Sequence, residues 1–92
     1  MLMNKGELID MVAEDVGCTK RDAKIVVECV FDCITDTLTK GEAVKLVGFG
    51  TFGIRERASR TARNPRTGEK FSVPAMNVPF FKAGKELKEK VK

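Results

Sequence analysis

The first forty residues place apolar side chains at helical spacing. Asn4 is followed three residues later by Glu7, the spacing of a capping box at a helix start. Gly17 is expected to end this first helix, and Thr19, with Asp22 at its third position, is expected to cap a second one. The predicted apolar face of the first helix comprises Leu8, Ile9, Val12, Ala13 and Val16.

The second predicted helix carries an unusually wide apolar surface, and Gly41 closes it. Its two neighbouring stripes are Ile25, Cys29, Cys33 and Thr37 beside Val26, Val30, Ile34 and Leu38. One short neighbouring helix cannot cover a stripe of this width. The pattern therefore predicts a second layer, for which another subunit is one source.

From Glu42 the period changes from helical to alternating. The stretch "AVKLVGFGTFGI" predicts two short strands joined by a tight turn near Gly48, with Phe49 and Phe52 as apolar anchors. The stretch "KFSVPAMNVPFF" predicts a third strand that is broken by Pro74 and Pro79. Its prolines, Pro74 and Pro79, belong at strand edges or bulges, so this strand is not expected to be central along its whole length.

The last stretch, "FKAGKELKEKVK", predicts a short basic helix with Leu87 and Val91 as its apolar contacts. The element order predicts an α+β fold with two N-terminal helices, a three-stranded antiparallel sheet, a long protruding β-ribbon arm and a short C-terminal helix. One domain, residues 1–92, is expected. Its parts are a helical dimerisation part (1–41), sheet and arm (42–81, the arm about 55–74) and the C-terminal helix (82–92). A lone domain of this size is marginally stable, which again favours a second chain.

Charge divides the chain into two unlike halves. Residues 1–50 hold 6 basic and 9 acidic side chains, a net of −3, whereas residues 51–92 hold 11 and 4, a net of +7. The stretch "RERASRTARNPRTGEK" has no Val, Ile, Leu, Phe or Met between Arg57 and Lys70, so it cannot bury itself. An acidic half joined to a basic half predicts a basic face that binds a polyanion.

The basic stretch is predicted to be a hairpin. Asn64-Pro65 opens a turn, and Gly68 can take the positive φ that closes it. Arginine suits phosphate and base edges, and a two-stranded ribbon fits a DNA groove. Pro65 is rigid, apolar and exposed, as minor-groove wedges are. A role for Pro65 in setting the turn alone fits the sequence equally well.

Several function classes are disfavoured by composition. The chain has no His, the commonest general base and metal ligand, and no nucleophile–base pair is readable, so an enzyme is the least favoured class. The three cysteines lack zinc-site spacing and are expected in the core, with no metal or cofactor. The N-terminus does not resemble a signal peptide, and no apolar run approaches the ~20 residues of a membrane span.

The arm and its flanks carry a family resemblance. The stretch "GFGTFGIRERASRTARNPRTG" (48–68) resembles the signature of the HU/IHF family of bacterial histone-like DNA-bending proteins. The similarity runs from "MNKGELID" (3–10) through "LVGFGTF" (46–52) to "NVPFFKAGKELK" (77–88), essentially the whole chain. The last of these is more similar to HU than to integration host factor.

The resemblance implies an intertwined homodimer in the bacterial nucleoid, with helices as its base, sheets as a saddle and two arms around DNA. It implies that Pro65 intercalates at the arm tip, while its neighbours Arg63, Asn64 and Arg66 lie in the minor groove. The arm would be lined by Arg55, Arg57, Arg60 and Lys70, and flanking DNA backbone would meet Lys82, Lys85 and Lys88. The expected dimer-core residues are Phe49, Phe52, Phe81, Val30 and Ile34. Of the consecutive Phe80 and Phe81, one is expected to face the dimer core and the other solvent or DNA.

The function expected from this resemblance is non-catalytic and architectural. Such a protein binds double-stranded DNA with little sequence preference, favours bent or nicked DNA, bends it and compacts the chromosome. Two alternatives stay open. One is a sequence-selective bender like integration host factor, usually paired with a second, paralogous subunit. The other is an RNA-binding module, although the arm lacks an aromatic stacking platform.

Overall fold

The computed structural model describes residues 2–92 and confirms the predicted α+β class. Two helices are followed by antiparallel strands and a short C-terminal helix. The elements are α1 (Lys5–Val16), α2 (Lys20–Thr39), β1 (Val44–Leu46), β2 (Gly50–Arg57), β3 (Arg60–Arg63), β4 (Lys70–Val73), β5 (Met76–Ala83) and α3 (Lys85–Lys90). The chain divides into two compact units, a helical unit up to Asp36 and a sheet unit from Thr37 to Lys92.

The helical unit begins and ends its helices where the sequence predicted. The Asn4 side chain accepts a hydrogen bond of 2.8 Å from the backbone N–H of Glu7, and so caps α1. The Thr19 hydroxyl accepts one of 3.1 Å from the N–H of Asp22 at the start of α2. Gly17 ends α1 with a left-handed φ of 80°, which a residue without Cβ adopts at no steric cost.

The core of the helical unit is small. Ile9 and Ala13 of α1 are buried with Ala23 and Val27 of α2. Leu8, Val12 and Cys18 pack against this cluster. The sequence-based expectation was wrong for Val16, which is exposed at the end of α1.

The expectation of buried cysteines was also wrong for two of the three. Cys29 and Cys33 are exposed in the chain, while Cys18 is half-buried. They follow a different stripe of α2 from Ala23 and Val27, the residues that meet α1. Ala23 and Val27 belong to neither of the two stripes predicted for α2, so the apolar periodicity did not locate the face that α1 covers.

The sheet unit contains a three-stranded antiparallel sheet in the order β1-β2-β5. Gly48 makes the tight turn between β1 and β2 with a φ of 85°. Pro79 lies in β5, an edge strand, as predicted. Proline has no backbone N–H, and an edge strand leaves one side of the strand without a neighbour that would need this donor.

The sequence predicted a long two-stranded ribbon whose returning strand is broken at Pro74, and the structure divides the arm into two separate ladders at this level. The β2–β5 ladder ends at the pair Arg57↔Met76, and a separate two-stranded sheet, β3–β4, begins at Arg60↔Val73. Pro74, directly after β4, has no N–H for the ladder, which accounts for a break at this level.

The C-terminal helix is shorter than predicted. Lys82 and Ala83 still belong to β5, and the N–H of Gly84 donates to the carbonyl of Phe49 at 2.8 Å before α3 begins. Val91 lies past the helix and is 77% exposed, so its expected role as an apolar contact was wrong.

Candidate nucleic-acid interface

The β2–β5 ladder places its cationic side chains on one side of the three-stranded sheet. Side chains alternate along a strand, and directly paired residues of antiparallel strands share a face. Arg55 pairs with Val78 and Arg57 with Met76, on the same face as the pair Thr51↔Lys82. This side of the three-stranded sheet, called the cationic face below, carries three of the predicted DNA-binding residues: Arg55, Arg57 and Lys82.

The Arg55 guanidinium is held over an aromatic ring. Its central carbon lies 4.9 Å from the ring centre of Phe80, a cation–π contact. Phe80 is the partner of Gly53, and a Cβ on Gly53 would lie 2.8 Å from the Phe80 ring. Glycine at position 53 therefore lets the ring lie across β2, and the ring in turn positions Arg55 on the cationic face.

The opposite side of the sheet, called the aromatic face, is a cluster of phenylalanines. Phe52 and Phe81 are paired, with ring centres 4.7 Å apart, and Phe49 lies 5.4 Å from Phe81. The Phe81 ring covers Gly50, where a Cβ would come within 2.5 Å of it. Phe80 and Phe81 thus lie on opposite faces, one beside a cation and the other among aromatic residues.

Sequence reasoning missed Lys45 as a member of the cationic face. Lys45 pairs with Thr51, whose partner on the other side is Lys82, so the three form one row across the sheet. The signal was the alternation in "VKL", but Lys45 can be assigned to a face only when the register of β1 on β2 is known.

The tip ribbon consists of β3, β4 and the loop 64–69 that joins them. Its pairs are Arg60↔Val73, Thr61↔Ser72, Ala62↔Phe71 and Arg63↔Lys70. Arg63 and Lys70 are therefore directly opposed like charges on a polar side that also holds Thr61 and Ser72. Such a pair destabilises a sheet in the absence of an anion. Arg60 lies on the other side, with Ala62, Phe71 and Val73.

The break between the two ladders contains a cavity of about 200 Å³. Arg57 and Arg60, one from each ladder, both line it. Its other lining residues are Ala58, Val73, Pro74 and Met76. The break therefore brings two predicted DNA-binding side chains to one concavity, although they belong to different sheets.

The loop at the end of the tip ribbon is ordered by its own backbone and by Asn64. The N–H of Asn64 donates to the carbonyl of Glu69 at 2.8 Å, and the N–H of Gly68 donates to the carbonyl of Asn64 at 2.8 Å. The Asn64 side chain accepts from the N–H of Arg66 at 2.9 Å, an Asx turn around Pro65. Gly68 has the predicted positive φ, 75°. Pro65 and Arg66 are exposed at this turn.

The remaining predicted cations lie on α3. Lys85 and Lys88 are three residues apart and so are neighbours on the helix surface. Both are exposed. The predicted DNA-binding residues therefore fall into three groups within the sheet unit: the cationic face, the tip ribbon and α3.

The predicted dimer-core residues are divided between the units. The sheet unit brings Phe49, Phe52 and Phe81 together on the aromatic face. Val30 and Ile34 lie on α2 in the helical unit, where Val30 is 50% exposed. Within residues 2–92, no helix is both long and apolar enough to cross a membrane.

Comparison with known proteins agrees over the whole chain. The family model described as bacterial DNA-binding protein matches residues 3–92. DNA-binding protein HU of Geobacillus stearothermophilus is 57% identical over 90 residues, which cover 98% of this chain and all of that protein. An Anabaena HU–DNA cocrystal structure is 49% identical, with a TM-score of 0.89 and 97% of each chain covered. HU from Thermotoga maritima is 41% identical with a TM-score of 0.71, covering 98% of this chain and 100% of that one.

Proposed function

The chain belongs to the HU/IHF family of bacterial DNA-binding proteins, and from that premise we propose that it is a non-catalytic, architectural DNA-binding protein. It binds duplex DNA with little sequence preference, through the minor groove, and compacts the chromosome in the bacterial nucleoid. It favours duplexes that are already bent or nicked, because part of the deformation free energy is then already supplied.

One observation carries this proposal: the directly opposed Arg63 and Lys70 of the tip ribbon. Directly opposed like charges destabilise the ribbon, because the two cations repel each other. A phosphate bound between them attracts both, so the same pair then stabilises the complex. Neutralising phosphates also releases counterions, which makes affinity fall with salt. The polar side of the tip ribbon is thus better suited to a bound polyanion than to water.

Pro65 is the proposed wedge. It lies exposed at the end of the tip ribbon, and the Asx turn of Asn64 fixes the backbone on either side of it. A rigid apolar ring at this place can enter between two stacked base pairs. The free energy lost from base stacking is offset because the bent duplex contacts more of the protein surface. Its neighbours Arg63, Asn64 and Arg66 would then lie in the minor groove.

The remaining cations extend the contact along the duplex. In this proposal the arm's Arg55, Arg57, Arg60 and Lys70, together with Lys45, meet phosphates near the wedge. Lys82, Lys85 and Lys88 meet the flanking backbone. Backbone contacts of this kind position the protein and carry no base sequence, which accounts for little sequence preference.

We further propose that the chain acts as a homodimer, in which residues 1–92 remain one domain. Val26 and Val30 of α2 and Phe49 and Phe81 of the aromatic face are all large apolar side chains exposed in the single chain. A second copy covering them gains roughly 25 cal/mol for each Å² of apolar surface removed from water. Two copies also supply two tip ribbons for one duplex.

The test is a binding titration at two salt concentrations with four probes. These are intact duplex, nicked duplex and single-stranded DNA of unrelated sequences, and one structured RNA. The proposal predicts steeply salt-dependent binding to every duplex, tightest for the nicked one. Tight binding to a single duplex sequence would favour a sequence-selective bender, and binding to RNA alone would favour an RNA-binding module; either result contradicts the proposal.

A further inference from the structure

Cys29 and Cys33 place two thiols side by side on the exposed surface of α2. Their sulfur atoms are 4.0 Å apart, and both residues are exposed in the chain. Asp32 and Asp36 follow at helical spacing, so "CVFDCITD" puts two sulfurs and two carboxylates along one side of the helix. The DNA-binding proposal makes no use of this cluster.

The helix geometry disfavours a disulfide between these two thiols. Residues four apart on a helix have Cβ atoms about 5–6 Å apart, whereas a disulfide requires about 3.5–4.5 Å. The sulfurs would have to close from 4.0 Å to a bond of about 2 Å, against the helix backbone. The pair is better suited to hold something between the two sulfurs.

A single cation fits between them. With a metal–sulfur bond of about 2.3 Å, two sulfurs on opposite sides of one ion are about 4.6 Å apart. The observed 4.0 Å needs only a small opening, which side-chain rotation can supply. Within residues 2–92, no three Cys, Asp or Glu side chains are grouped to hold a metal ion. The site therefore suits an ion that accepts two ligands, rather than one that needs four.

The ligand atoms also decide which class of ion fits. Soft thiolate ligands select soft cations such as Cu(I).

We propose that Cys29 and Cys33 form a two-thiolate site for one soft monovalent cation of the Cu(I) class. On binding, each thiol loses its proton to solvent and both sulfurs bond to the same ion. Two protons are released for each cation bound, and no electron is transferred. This site is independent of DNA binding.

The test is a titration of the full-length, fully reduced protein with Cu(I), in competition with a colorimetric Cu(I) chelator under anaerobic conditions. One equivalent per chain is expected, with two protons released and two sulfur ligands in the copper X-ray absorption spectrum. Cys29→Ala and Cys33→Ala should each weaken Cu(I) binding by roughly 10²-fold or more, because each variant removes one of the two sulfur ligands that the chain offers to the same ion. Cys18→Ala is the matched control and should bind as the unaltered protein does.

Several results would overturn this proposal. If the native protein binds no Cu(I), its thiols are covered or badly placed, and this result does not depend on how any variant folds. Equal affinity in Cys29→Ala would exclude chelation by the pair. Binding of one Cu(I) ion for every two chains would show that the site is shared between two copies of the protein and does not lie within each chain.

Discussion

The helical unit and the tip ribbon differ in what stabilises them. The helical unit caps both of its helices and buries Ile9, Ala13, Ala23 and Val27 between them. The tip ribbon buries none of its strand residues and opposes Arg63 to Lys70. Its four paired positions form a two-stranded hairpin, which is marginally stable in water. One region contains its own stabilising contacts, and the other is completed by a partner of opposite charge.

The largest expected effect comes from breaking the core of the helical unit. Ile9→Ala should lower the free energy of unfolding by about 2–5 kcal/mol, because it leaves a cavity between α1 and α2. Chemical denaturation at fixed protein concentration measures the loss. Leu2→Ala, at a position 90% exposed, is the matched control and should change stability by less than about 0.5 kcal/mol. Equal losses in the two variants would contradict the assignment of this core.

The double variant Arg60→Ala/Arg63→Ala should reduce DNA affinity while leaving the helical unit folded. The salt slope is the slope of the logarithm of DNA affinity against the logarithm of salt concentration. Losing two phosphate contacts should lower its magnitude by roughly two. Over a fourfold range of salt, the affinity of the variant should therefore change by roughly tenfold less than that of the unaltered protein. Titrations at 50, 100 and 200 mM salt measure the slope. Lys20→Ala/Lys24→Ala removes the same charge from the helical unit. A matching change in this control would show that net charge, rather than the tip ribbon, sets affinity.

Removing the like-charge pair should have opposite effects on the free tip ribbon and on its complex. Lys70→Gln should stabilise the free ribbon by about 0.2–1 kcal/mol, since Arg63 no longer opposes a cation. It should also lower the salt slope by about one. Amide exchange of β3 and β4, together with DNA titration, measures both quantities. Lys24→Gln is the control, and a free ribbon that loses stability in Lys70→Gln would refute the repulsion.

The smallest effect on affinity for intact duplex is expected from Pro65→Ala, because no charge is lost. Its bend angle should fall, and its preference for nicked over intact duplex should weaken, since the apolar wedge is gone. Fluorescence energy transfer between the ends of a labelled duplex reports the bend. An unchanged bend angle would leave Pro65 with a role in the turn alone.

Local signals predicted much of the fold. The caps at Asn4 and Thr19, the helix end at Gly17, the tight turn near Gly48 and the positive φ of Gly68 depend on neighbouring residues, and all five were predicted correctly. The roles of the DNA-binding residues stay predictions.

Features that depend on distant residues were missed. The exposure of Cys29 and Cys33 depends on which face of α2 meets α1, and that face, with Ala23 and Val27, lies on neither of the two predicted stripes. The break in the arm and the place of Lys45 depend on strand register, which two pairing partners decide together. The interruption of the returning strand at Pro74 was predicted, but the division of the arm into two separate sheets was not.

DNA is expected to stabilise the tip ribbon, whereas the helical unit is stable without it. Hydrogen exchange of backbone amides, measured with and without saturating duplex DNA, tests this claim directly. The informative amides are those of Asn64 and Gly68 in the loop and those of the β3–β4 ladder, compared with the amide of Leu8, which donates to Asn4 in α1. We expect exchange in the tip ribbon to be fast without DNA and strongly slowed with it, while Leu8 is protected in both states. A tip ribbon already as protected as α1 without DNA, or unchanged when DNA is bound, would contradict the claim.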